Sequence, residues 1–188
     1  MAGQARKDQV MRVRLLLLLA AIILTPTFAS AQTIEVFGIT GGAQVWDDEG
    51  NIGFGVPFGG GVGFRTPGGW GVEGLVEGQK AERSFTSGVR FDSTLTSGRG
   101  RILKYFGTGR TQFYTGAGLG ISRIASTRTE PVGFGGVFSR TVNSGSVSGF
   151  AGLRIPAGTR LFVRPEFEIS RAGEHVRIGG NVAIGLGW

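Results

Sequence analysis

"LFVRPEFEIS", residues 161–170, carries two different surfaces in ten residues. In an extended chain, successive side chains point to opposite sides. Leu161, Val163, Pro165, Phe167 and Ile169 therefore share one face. Phe162, Arg164, Glu166, Glu168 and Ser170 share the other. A strand that is apolar on one side and carries three charges on the other needs two very different surroundings.

The same period of two recurs along the chain, broken by turn formers, and no helical periodicity competes with it. "FGVPFGGGVGF" sets Phe54, Val56, Phe58, Val62 and Phe64 against Gly55, Pro57, Gly59, Gly61 and Gly63. "FYTGAGLGISRI" sets Phe113, Ala117, Leu119 and Ile121 against Gly116, Gly118, Gly120 and Ser122. The chain ends on "NVAIGLGW", with Val182, Ile184, Leu186 and Trp188 alternating with small residues. Eight such segments are expected: 33–46, 53–65, 70–79, 90–106, 112–124, 145–155, 161–171 and 175–188. "TPGG" (66–69), "GTGR" (107–110) and "PAGT" (156–159) are tight connectors rich in turn formers. The others are "DDEGN", the stretch around "KAERSFTSG", a long third loop at 125–144, and "AGEH".

Glycine accounts for 36 of the 188 residues, against a usual share of about 7%. No Gly-X-Y period runs through it, which excludes collagen. Glycine cannot fill a core, so the glycine-and-charge face is not the outside of a packed soluble sheet. The opposite arrangement fits: apolar side chains face lipid, and glycine and charge line an interior. A closed barrel is the one sheet that spans a bilayer, because it leaves no backbone edge unpaired. The expected fold is all-β: an eight-stranded antiparallel up-and-down transmembrane β-barrel over 32–188, preceded by a cleaved signal peptide.

That leader is read from "MRVRLLLLLAAIILTPTFASAQ". Arg12 and Arg14 precede an apolar run from Leu15 to Leu24, then Pro26 and the small-residue pattern Ala29-Ser30-Ala31. This is a secretory signal, residues 1–31, cleaved before Gln32. The run is too short for a membrane-spanning helix. Met11, followed at once by basic residues, is a second candidate start. Removing 1–31 leaves 16 basic and 12 acidic residues, a formal charge of +4. No basic run with interleaved aromatics points to nucleic acid. There is no cysteine, which removes disulfides, thiolate metal sites and a lipoprotein anchor.

"GRILKYFGTGRTQFYTGAGLG" (100–120) and "GFAGLRIPAGTRLFVRPEFEIS" (149–170) resemble hairpins of small bacterial outer-membrane barrels: a strand ending in aromatics, a short turn, a glycine-rich return. The final "NVAIGLGW" resembles the C-terminal assembly signal of that group, carried by Val182, Ile184, Leu186 and Trp188. That signal usually ends in Phe, and Trp188 departs from it. The chain is thus similar to OmpA/OmpX-type or OmpW-like eight-stranded barrels over its whole mature length. The resemblance implies residence in the outer membrane of a Gram-negative-type bacterium, with both mature termini periplasmic. It implies contact with outer-membrane lipids and lipopolysaccharide, and with periplasmic chaperones and the barrel-assembly machinery. A monomer is expected. The group includes structural anchors, adhesins, leak proteins and lipid A-modifying enzymes, so it leaves the activity open.

Alternation points Glu73, Glu77, Arg99, Arg101, Arg154, Arg164, Glu166, Glu168 and Arg177 inward. An eight-stranded barrel is only wide enough for side chains to fill, and buried charges must pair. The expectation is an Arg/Glu network that plugs the lumen, with a narrow path for a small or apolar solute as the alternative. Enzymatic readings are weaker. The single histidine, His175, has Ser170 five residues before it, but Glu174 beside it points to the opposite face. No nucleophile-elbow motif is present, and "DDEGN" lacks the spaced ligands of a calcium loop. No helix follows any glycine-rich stretch, so none is a phosphate cradle. No cofactor is implied. The expected function is non-enzymatic: a structural or surface-interaction role through external loops, above all the third with Arg128, Glu130, Phe134, Phe138 and Arg140. A lipid A-modifying enzyme and a soluble lipocalin-like binder rank below it.

Overall fold

A computed structural model describes residues 33–48, 50–84, 87–130 and 136–188. The leader at 1–31 and Phe134 lie outside the described residues. Eight strands follow one another: β1 (Thr33–Asp47), β2 (Gly50–Arg65), β3 (Trp70–Ser84), β4 (Arg90–Phe106), β5 (Gln112–Thr129), β6 (Val137–Pro156), β7 (Leu161–Ala172) and β8 (His175–Gly187). Each pairs antiparallel with the next, and β8 returns to pair with β1, so the sheet closes.

The faces are those the alternation predicts. Phe54, Val56, Phe58, Val62 and Phe64 of β2 point out and are exposed, as are Phe167 and Ile169 of β7. Arg164, Glu166 and Glu168 point in and are buried. An outside clad in aliphatic and aromatic side chains around a charged inside is the surface of a membrane-spanning barrel. Trp70, Phe106, Phe113 and Trp188 gather where the strands meet the tight turns, the favoured level for amphipathic rings. There the Phe106 and Phe113 rings lie 5.9 Å apart and Lys104 sits 4.9 Å from the centre of the Trp70 ring. In the 66–69 turn the Gly69 N–H donates to the Thr66 carbonyl at 3.0 Å, with Gly69 at φ +75°, a conformation that favours glycine.

The opposite end differs from the sequence reading. The long loop expected at 125–144 is mostly strand. The β5–β6 ladder runs unbroken from Gln112↔Arg154 to Thr129↔Val137. β3 likewise continues to Ser84 and pairs with β4 up to Arg90. The cause is the solvent. Beyond the lipid band the outward residues are Lys80, Glu82, Thr94, Asp92, Thr127, Thr141 and Ser139. Both faces meet water there, so pairing persists while the apolar alternation that announces a strand is gone. β7 reaches β6 only up to Ser146↔Ala172. The barrel is therefore lopsided: β5 and β6 project past their neighbours β7 and β8.

Glycines inside the wall give bulky neighbours room. A Cβ on Gly61 would lie 2.7 Å from the Phe37 ring, one on Gly116 2.5 Å from the Phe150 ring, and one on Gly185 2.5 Å from the Phe162 ring. Leu103, Tyr105, Tyr114 and Phe150 form one buried apolar cluster; Phe37, Ile39, Leu75, Phe162 and Ala183 form another.

Candidate functional site

All nine charges expected in the lumen point into it and are buried. They fall into two groups. Toward the turn end, Arg164 of β7 donates through both terminal nitrogens to the two oxygens of Glu73 on β3, Nη2 to Oε2 at 3.1 Å. Arg101 of β4 donates to Glu166 Oε2, and the Tyr114 hydroxyl donates to the same oxygen at 2.9 Å. Arg101 Nη1 also stands 3.8 Å from Glu73 Oε2. Arg154 Nε donates to Glu35 Oε1 at 2.9 Å. Arg65 Nε stands 3.8 Å and Arg164 Nη1 3.7 Å from Glu35.

The second group is a closed square. Arg99 of β4 donates to Glu77 of β3 at 2.7 Å and also to Glu168 of β7. Arg177 of β8 donates to Glu168 at 2.6 Å and stands 2.5 Å from Glu77 Oε1. Ser97 adds a hydroxyl to Glu77 at 3.2 Å. Each arginine bridges both glutamates, and each glutamate meets both arginines. Taking a charge out of water costs several kcal/mol, and this geometry offsets it with paired bonds. The guanidinium faces are covered too. Arg101 lies 3.7 Å from the Phe150 ring centre, and Arg164 lies 4.6 Å from that of Phe37.

Glu35 was missed as a network member, as were Tyr105 and Tyr114. The signal for Glu35 was present: Ile34 and Val36 face out, which forces Glu35 in. The same signal was present for the tyrosines: Phe106 and Phe113 face out, which turns Tyr105 and Tyr114 in.

Above the square, a cavity of about 30 Å³ is lined by residues including Gln79, Ser97, Ser122, Ser146 and His175. By volume this holds about two waters. It lies beneath a vestibule of about 470 Å³ at the projecting end. His175 and Ser170 both line the small cavity. No hydrogen bond joins His175 to Ser170 or Glu174 among the described residues, and Glu174 is exposed. Among the described residues no three histidine, cysteine, aspartate or glutamate side chains gather as the ligands of a metal ion would. Val182, Ile184, Leu186 and Trp188 all face outward. Of the third-loop residues, Arg128 pairs with Glu130 at 2.9 Å on β5 and its end, and Phe138 and Arg140 stand exposed on β6.

No protein-family model matches this sequence, and no curated protein matches it either. Solved structures do. The chain is similar to Neisserial surface protein A, at 14% identity and TM-score 0.57, covering 84% of this chain and 96% of that one. It is similar to Ail, the attachment invasion locus protein of Yersinia pestis, seen with the heparin analogue sucrose octasulfate, at 14% identity and TM-score 0.56, covering 84% and 98%. A major outer membrane protein of Thermus thermophilus gives 11% identity and TM-score 0.59, covering 85% and 100%. With its closed eight-stranded sheet, lipid-facing exterior and ion-paired lumen, the chain has the fold of the small outer-membrane β-barrels.

Proposed function

We propose that this protein is a non-enzymatic, non-conducting barrel of a Gram-negative-type outer membrane that acts at the cell surface through its projecting sheet. The leader at 1–31 directs export. The assembly machinery reads the final strand, and the tight turns and both mature termini face the periplasm.

The observation that carries the surface reading is the free edge of β6. From Val137 to Gly145 this strand pairs with β5 on one side. On the other side pairing with β7 begins only at Ser146, and no strand among the described residues takes its place. Unpaired N–H and C=O groups along nine residues form a template for another extended segment. Val137 and Phe138 at its tip are exposed. The charge network supports the non-conducting half, since its members cross the lumen at two levels from β1, β3, β4, β6, β7 and β8.

Two measurements test this. Single-channel recording in planar bilayers is expected to give no steady conductance, and an ohmic current would overturn the plug. Ser139→Lys with Thr141→Lys places two like charges along the free edge, a device that blocks strand pairing. Expressing cells should then lose adherence to immobilised extracellular proteins while the barrel remains folded. Adherence equal to that of the unaltered protein would overturn the surface role.

A further inference from the structure

The lipid-facing surface is unevenly clad. β2 presents Phe54, Val56 and Phe58 in succession. β4 presents Ile102, then Gly100 and Gly98, then Thr96. Gly74 of β3 lies directly beside Gly100. A Cβ on Gly74 or Gly98 would meet nothing within 4 Å, and one on Gly100 would meet its nearest atom at 4.0 Å. The middle of β4 is therefore a trough floored by backbone. Val76 on β3 and Ile121 on β5 wall Gly98 on either side, and Leu119 on β5 walls Gly100 opposite the open Gly74. Leu119 and Ile121 are 70% and 74% exposed. Between Ile102 and Thr96 the trough runs about 20 Å, the length of one extended fatty-acyl chain. A bare backbone floor between tall aliphatic walls forfeits dispersion contacts unless something slender fills it.

The end of the trough nearest the projecting sheet carries charge. Arg123, the next outward residue after Ile121, pairs with Thr96, and Lys80 pairs with Thr94. With strands about 4.8 Å apart and about 3.3 Å per residue, their Cα positions lie about 12 Å apart. The acids nearest by register, Glu82 and Asp92, are both engaged by Arg90 at 3.1 Å. Neither Lys80 nor Arg123 has an ion pair among the described residues. A groove of about 640 Å³ takes in the upper part of the trough, lined by Val76, Gly98 and Ile121 and by Thr96, Arg123 and Asn143, while Lys80 stands outside it, two residues along from the level of Thr96. One free cation in the groove and a second beside it, both beyond the glycine floor, complement a molecule with phosphates at one end and hydrocarbon at the other.

We infer that the β3–β5 trough is a specific site for a phosphorylated lipid, one acyl chain lying over Gly98 and Gly100 and the phosphates held by Lys80 and Arg123. The site needs only that the barrel spans a membrane. It is independent of what the β6 edge meets and of whether the lumen conducts.

The test uses purified, folded full-length mature barrel in detergent. Retained lipid is measured by native mass spectrometry during titration with a bis-phosphorylated, acylated glucosamine disaccharide, and with the same lipid stripped of phosphate. The unaltered protein is expected to retain one phosphorylated lipid at least ten-fold more tightly than the stripped one. Lys80→Gln with Arg123→Gln should remove that preference. Gly98→Leu, which fills the trough without touching the charges, should weaken binding of the phosphorylated lipid at least ten-fold. Gly180→Leu, at another outward glycine with open space around it, should leave binding unchanged. The heat-modifiable gel shift reports folding of every variant. Should Gly98→Leu not fold, Gly74→Leu obstructs the same trough from β3 and carries the same expectation. Undiminished binding in the trough-filled variant, or in the double glutamine variant, would overturn the site. So would equal loss in Gly180→Leu.

Discussion

Trp188 and Ile34 exchange both of their backbone hydrogen bonds: the N–H of each donates to the carbonyl of the other at 3.0 Å. The last residue thus closes the barrel against the start of the first strand, while its ring faces outward at the lipid boundary. Deleting Trp188 removes both bonds and the ring together. The heat-modifiable band in membrane fractions is expected to vanish, with synthesis and leader removal unaffected. Trp188→Phe keeps the bonds and an apolar ring and should retain the band. Trp188→Asp keeps the bonds, puts a charge at the interface and should lose it. A normal band without Trp188 would show that closure and assembly do not depend on it.

Within the square of Arg99, Glu77, Arg177 and Glu168, removing Glu168 leaves two arginines to share Glu77, with one positive charge uncompensated. Glu168→Ala should cost about 3–5 kcal/mol, the usual penalty for breaking a buried pair. The measurement is denaturant unfolding of the barrel in lipid vesicles. Arg99→Met added to Glu168→Ala should recover part of the loss, because one uncompensated charge leaves with it. A double variant no better than Glu168→Ala would show that Arg99 is not held by that carboxylate.

The two faces of β2 make a sharp comparison. Phe58→Arg puts a charge toward lipid and should cost about 2–4 kcal/mol. From alternation alone, Gly59→Ser on the inner face is expected to be much cheaper. The structure corrects that expectation: a Cβ on Gly59 would collide with the Val76 carbonyl oxygen and lie 2.7 Å from Glu77 Cα. Overpacking of this kind costs about 1–3 kcal/mol. Gly98→Ala, in open space on the outside, should change stability little. Gly59→Ser as mild as Gly98→Ala in the same unfolding titration would refute the close packing of β2 on β3.

Orientation is checked by labelling. Cysteine at Ser139, exposed on the projecting β6, should react with an impermeant maleimide on intact cells. Cysteine at Thr108, exposed in the β4–β5 turn, should react only after the outer membrane is opened. Equal labelling of both from outside would invert or abolish the proposed topology.

Period-two alternation is local, so the sequence by itself determined the class of fold, the strand count and the inward face of Arg164, Glu166 and Glu168. Each strand records which side meets lipid and which does not. Nothing local records which charge meets which. Arg164 and Glu73 are 91 residues apart, and Arg99 reaches Glu168 across the lumen. Those pairings follow from register and closure, which are properties of the whole sheet. The projecting sheet escaped notice for a related reason. Where both faces of β5 and β6 meet water, the apolar pattern that betrays a strand disappears, although the ladder continues. The trough on β4 likewise needed three strands side by side. Gly98 and Gly100 read in sequence as two more small residues. Only Val76 on one neighbour and Leu119 and Ile121 on the other turn them into a floor between walls.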